Sequence, residues 1–149
     1  MATCLDVAQY ILERRGPTTT IKLQKLVYYS QAWSLVWDEQ PIFEDEIQAW
    51  ANGPVAPRLF QAHKGEFRVG QIPNGDSTNL TKAEKETVDI VLRDYGENPA
   101  QWLVELTHLE TPWKEARGTC PAGESCNNVI THASMADYYS ALLANAETN

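Results

Sequence analysis

The sequence predicts a mainly α fold, a single compact domain of about six or seven helices around a central buried helix, with a small β-ribbon. Three observations predict it. Apolar residues recur at helical spacing over most of the chain. The stretch Thr20 to Trp37 is apolar on two sides, as suits a helix enclosed between layers. Glycine, proline and asparagine clusters punctuate the periodic stretches at short intervals.

The elements follow in order. Thr3 with Asp6 marks a helix start, although a capping box proper ends in Glu or Gln. Cys4, Leu5, Ala8, Ile11 and Leu12 share one face, and Gly16-Pro17 ends the segment. The central helix follows over Thr20 to Trp37. One face reads Leu23, Leu26, Val27, Ser30, Trp33, Ser34, Trp37, and the other Ile21, Tyr28, Ala32, Leu35, Val36. In "EIQAWANGPVAPRLF" residues 46–51 form a short strand, and Asn52-Gly53 makes the turn. Pro54 and Pro57 then suit the first turn of a helix over Val55 to Lys64, where no amide donor is needed. "GEFRVGQIPNGD" carries one or two short strands with an Asn74-Gly75 turn.

Thr81 with Glu84 is a capping box, and Val88, Val91, Leu92 and Tyr95 follow before Gly96. Asn98-Pro99 opens a helix with Trp102, Leu103, Leu106 and Leu109 inward, and Thr111-Pro112 opens a short one. Gly118 to Asn128 reads as a surface loop. The last helix covers about His132 to Ala146, with Met135, Tyr138, Tyr139 and Leu142 inward.

The 149 residues are 43% apolar and 21% charged, ordinary values for a globular domain. No apolar run is long enough to span a membrane, and the N-terminus lacks the pattern of a signal peptide. The reading is cytoplasmic. Three cysteines are too few, and odd in number, for a disulfide framework; Cys120 and Cys126 flank "PAGES" and could close a small loop, which the cytoplasmic reading disfavours. The net charge of −8 is uneven: residues 1–75 carry 7 basic against 8 acidic side chains, and 76–149 carry 5 against 12. Such a surface repels phosphate backbones, so no nucleic-acid partner is expected. It suits a basic protein partner or serves solubility alone.

Motifs for catalysis are missing: there is no phosphate loop, dinucleotide fingerprint, nucleophile elbow or zinc-protease pattern. Cys120, Cys126, His132 and His108 are spaced too widely for a usual zinc site. A Cys–His nucleophile has no sequence support beyond the presence of the residue types. No catalytic, cofactor or metal residue is assigned, and a small metal- or Cys/His-dependent enzyme stands as the remote alternative. Lys25 lies on the central helix's apolar wheel, where an ammonium needs a partner. Glu110 is one candidate, giving an internal ion pair; contact with another protein is the other reading. Trp50 and Trp113 sit beside breaks in structure, where aromatics plug gaps between layers or anchor interfaces.

The motifs "TIKLQKLVYYSQAW", "PIF", "AWANGPVAPRLF" and "LTHLETPWKEAR", followed by a final helix with Tyr138-Tyr139, occur in that order. In this the sequence resembles the Panacea domain of SocA-like and phage-associated GepA-like proteins, over nearly the whole chain. The resemblance implies one Panacea-like domain over residues 1–149 and an antitoxin of a two-gene toxin–antitoxin system. Such a protein neutralises a cognate protein toxin, encoded next to it, by direct binding. It also implies an alternative, an adaptor that delivers the toxin to the ClpXP protease. No cofactor and no catalytic residue come with it. Positions carried over or flanking the motifs give the partner-binding candidates Lys22, Lys25, Trp50, Asn52, Arg58, Glu110 and Trp113.

Overall fold

The computed structural model describes residues 1–148. Seven α-helices, a short 3-10 helix (Ser77–Asn79) and a few two- and three-residue strands account for its regular structure among those residues. The helices are α1 (Cys4–Arg15), α2 (Thr20–Trp37), α3 (Pro57–His63), α4 (Lys82–Tyr95), α5 (Ala100–Leu109), α6 (Thr111–Arg117) and α7 (His132–Thr148). The fold is mainly α with a small β component, and α2 is its centre, packed against α1, α4, α5 and α7.

Local chemistry explains most boundaries. Thr3 and Asp6 form a complete capping box, with Asp in the role usually given to Glu. Thr81 and Glu84 form the other. Thr19 caps α2 by accepting from the Lys22 amide. Leu23, Leu26, Val27, Tyr28, Tyr29 and Ala32 of α2 are fully buried in one apolar cluster reaching from α1 to α7.

The same helix buries polar side chains, and two of them, Gln31 and Gln24, hold backbone groups of other segments. Gln31 donates to the Phe43 carbonyl at 2.7 Å and accepts from the Ile42 amide at 2.8 Å. Gln24, two turns earlier on the same face, accepts from the Ala56 amide at 2.9 Å. These bonds satisfy backbone groups that would otherwise be buried unpaired.

The corner after residue 46 differs from expectation. The strand β2 is Gln48–Trp50, but Gly53–Val55 is a second strand, β3, paired antiparallel with it, so Ala49 faces Pro54. The following helix therefore starts at Pro57 rather than Val55. Pro54 is tolerated because β3 is an edge strand and needs no donor there. On its other side β2 meets residues 128–130, with Ala49 N donating to Asn128 O at 2.9 Å and Ile130 N to Ile47 O at 2.8 Å. A second ribbon pairs β1 (Thr18–Thr19) with β4 (Arg68–Val69).

Three inward assignments are corrected. Trp102 is 44% exposed, Leu109 74% and Leu142 40%. On α5 the buried face is Leu103, Val104 and Thr107, one residue around the wheel, because α5 packs on α2 and β3 together. On α7, Met135 and Tyr139 are buried as expected, and Leu142 alone of that face is exposed. The cysteine reading is corrected too. Cys120 and Cys126 form a disulfide, their Cα atoms 6.0 Å apart, a separation a bridge can span. Arg117 donates to the carbonyls of Pro121 and Glu124, so the loop is folded onto itself and its two cysteines meet.

Candidate partner-binding site

A pocket of about 400 Å³ opens where four pieces of chain converge. Thr20, Ile21, Gln24 and Lys25 come from the first half of α2; Trp50, Ala51, Asn52 and Val55 from the hairpin; Phe60 and His63 from α3. Gly123, Ser125, Cys126 and Asn127 of the disulfide loop complete it. Its volume lies in the range of small-ligand sites. Asp and Glu are absent from this lining.

Lys25 is the buried polar group of this site. Its side chain is 1% exposed, and Nζ donates to the Pro54 carbonyl at 2.9 Å. Burial pulls the amine down to about 7. The proposed ion pair with Glu110 is not formed. Glu110 instead accepts hydrogen bonds from the hydroxyls of Tyr29 at 2.6 Å and Tyr139 at 2.8 Å, while Tyr28 and Tyr139 share a further bond at 3.0 Å. Two tyrosine hydroxyls satisfy the carboxylate where the ammonium was expected. Burial raises the Glu110 carboxyl above its usual range despite both bonds.

Lys25 owes its position to a glycine. Gly53 has φ +114° and carries the chain close over the lysine, a backbone state that residues with a Cβ rarely adopt. Next to Lys25, the Gln24 amide donates to His63 Nε2 at 3.0 Å. His63 and His108 are both held below the ordinary histidine range, chiefly by burial and in part by Lys25.

The predicted candidates fall into three groups. Lys25, Trp50 and Asn52 meet at the pocket. Trp113 stands behind it: its Nε1 donates to the Trp50 carbonyl at 2.8 Å, and its ring stacks on His108 at 4.1 Å. Trp50 is half-buried and packs edge-on against Phe60. Lys22, Arg58 and Glu110 lie elsewhere. Lys22 is near Arg15 and Glu97, Arg58 pairs with Asp45 at 3.1 Å on the surface, and Glu110 is in the core. Gln24, Phe60, His63 and the disulfide loop were missed as site residues. Gln24 left a trace as a polar residue inside the buried central helix, and Cys126 stood only among the rejected metal ligands.

Among the described residues no cluster of His, Cys, Asp and Glu is placed to hold a metal. No helix among them is long and apolar enough to cross a membrane. A family model described as antitoxin SocA-like, Panacea domain, matches residues 23–114. This chain belongs to that family. No curated protein and no solved structure matches it. The Panacea match runs from α2 through most of α6 and so covers the hairpin and α3 walls of the pocket; Thr20, Ile21 and the disulfide loop lie outside it.

Proposed function

We propose that this chain is the antitoxin of a two-gene system, neutralising a protein toxin by direct binding through the face around the pocket. The observation that carries the reading is the Panacea match, which includes most of the α2, hairpin and α3 lining of that pocket. The chemistry of the face supports it. Ile21 is exposed at the pocket, and Phe67, 75% exposed, is tied beside it by the bond from the Thr20 amide to the Phe67 carbonyl. Exposed apolar and aromatic side chains around a concavity serve as interface anchors. The net charge of −8 suits a basic partner.

In this reading Lys25, Trp50 and Asn52 contact the toxin, Trp113 and Glu110 hold the surface in shape, and residues 1–149 act as one domain in the cytoplasm. No catalysis, nucleic acid or membrane takes part. Co-expression with the product of the adjacent gene is the test. Growth is restored by this chain if the reading holds. A neighbour that is harmless alone, or stays toxic beside this chain, overturns it. The toxin's half-life then separates the two modes: unchanged for sequestration, shortened for delivery to ClpXP.

A further inference from the structure

We propose that the pocket over Lys25 binds a carboxylate carried on an apolar stem. The amine provides the first argument. Nζ carries three potential N–H donors when charged, and Pro54 O is the acceptor it has among the described residues. No ion pair reaches it there. A buried ammonium left in this state is costly, and an entering carboxylate removes the cost by accepting a charge-assisted hydrogen bond.

The walls supply the second argument. The chain holds 20 acidic residues, yet none of them lines this pocket. An anion therefore meets no like charge inside it. Trp50, Phe60 and Ile21 offer apolar surface to a stem, and Asn52 and Ser125 offer polar groups at the wall. One amine with two neutral polar groups suits a monovalent carboxylate better than a phosphate, whose oxygens need more donors. The acid comes from a free small molecule or from the bound partner's own chain, and the test separates these sources.

Binding also draws a proton onto Lys25. The other ionisable groups facing it are His63 on α3 and His108 on α5. The lining residues of the hairpin and disulfide loop bring none. Both histidines are held below their usual 6.5, so above neutrality the pH dependence belongs to Lys25. Affinity for the carboxylate falls as pH rises past about 7, by up to about tenfold per pH unit.

Phenylacetate and its neutral isostere phenylacetamide are titrated into the whole chain and followed by NMR at the Trp50 indole N–H. Phenylacetate binds about tenfold or more tightly than the amide. Lys25→Met brings the two to parity. Ser125→Asp, an exposed loop change that leaves Lys25 in place, weakens phenylacetate more than phenylacetamide and so narrows the preference between them. Equal binding of both probes to the unaltered chain, no binding of either, or a preference that survives in both variants overturns the proposal. Repeating the titration with the adjacent gene's product bound identifies the source. Loss of phenylacetate binding assigns the carboxylate to the partner, and retention assigns it to a free acid. The binary titrations hold whether or not that product is a toxin, so failure of the site and failure of the antitoxin reading are distinguishable.

Discussion

A Cβ placed on Gly53 would lie 2.8 Å from Cε of Lys25 and 2.8 Å from Oγ1 of Thr107. The hairpin can thus cross α2 and α5 closely only because residue 53 has no side chain. The same approach brings the Pro54 carbonyl to the amine. One turn residue fixes both the corner and the floor of the pocket.

Gly53→Ala adds a steric clash to a backbone angle of +114°. The expected loss is about 2–4 kcal/mol of stability, read from the urea midpoint. A wild-type midpoint would show that the hairpin shifts freely and that the pocket floor is soft.

Glu110 titrates in the opposite sense from a surface carboxylate. Its folded value is raised above 4.5, so between the two values the folded chain binds more protons than the unfolded one. Its contribution is fully present below 4.5 and is lost as pH rises through the folded value. Glu110→Gln keeps an oxygen to accept from Tyr29 and Tyr139 and removes this slope, staying within about 1 kcal/mol of wild type at neutral pH. Glu110→Ala leaves the Tyr29 hydroxyl without its acceptor and loses about 2–4 kcal/mol. Denaturant titrations across the acid range check both; an unchanged slope in the glutamine variant contradicts the account.

How much of this was legible follows from range. Helix boundaries rest on neighbours three or four residues apart, and α2, α4 and both capping boxes could be read directly. Pairings between distant segments leave no local mark. Nothing at Thr18 announces Val69, and nothing at Gln48 announces Val55 or Val129. Lys25 was visible as a misfit on an apolar wheel, but its partner is the Pro54 backbone carbonyl, an acceptor that every residue carries and that no sequence pattern marks. Composition argued against a disulfide, whereas the closure of Cys120 on Cys126 depends on Arg117 gripping loop carbonyls. The pocket joins all these distant pieces, so its fourth wall could not be foreseen.

Arg117 is buried and donates to the carbonyls of Ala49, Pro121 and Glu124. It therefore ties the disulfide loop to β2. Lysine lacks the planar fork that serves several acceptors at once, so Arg117→Lys loses about 2–4 kcal/mol in oxidised and reduced protein alike. Reduction of the wild type alone costs up to about 2 kcal/mol, because the closed loop is short. Melting with and without a dithiol compares them. An Arg117→Lys variant that melts like wild type would move the hold on this loop from the guanidinium to the disulfide.

Lys25→Met gives the strongest pH signature. The folded amine titrates near 7 against an ordinary 10.5. Between those values the unfolded chain binds the extra proton, so stability rises with pH through that window. Below it the wild type carries the whole cost of a buried ammonium. Methionine is free of that cost but leaves the Pro54 carbonyl without its donor. The variant should therefore gain most, relative to wild type, on the acid side of neutrality, and the advantage should shrink steadily toward pH 10 or so. Tyr28, Tyr29 and Tyr139 complicate either curve alone, since burial raises all three hydroxyls and alkali then favours the unfolded chain. They contribute equally to both proteins, so the difference between the two stability curves isolates Lys25. A difference that stays flat from about pH 7 to pH 10 would mean that the amine keeps its proton and has a counter-charge after all.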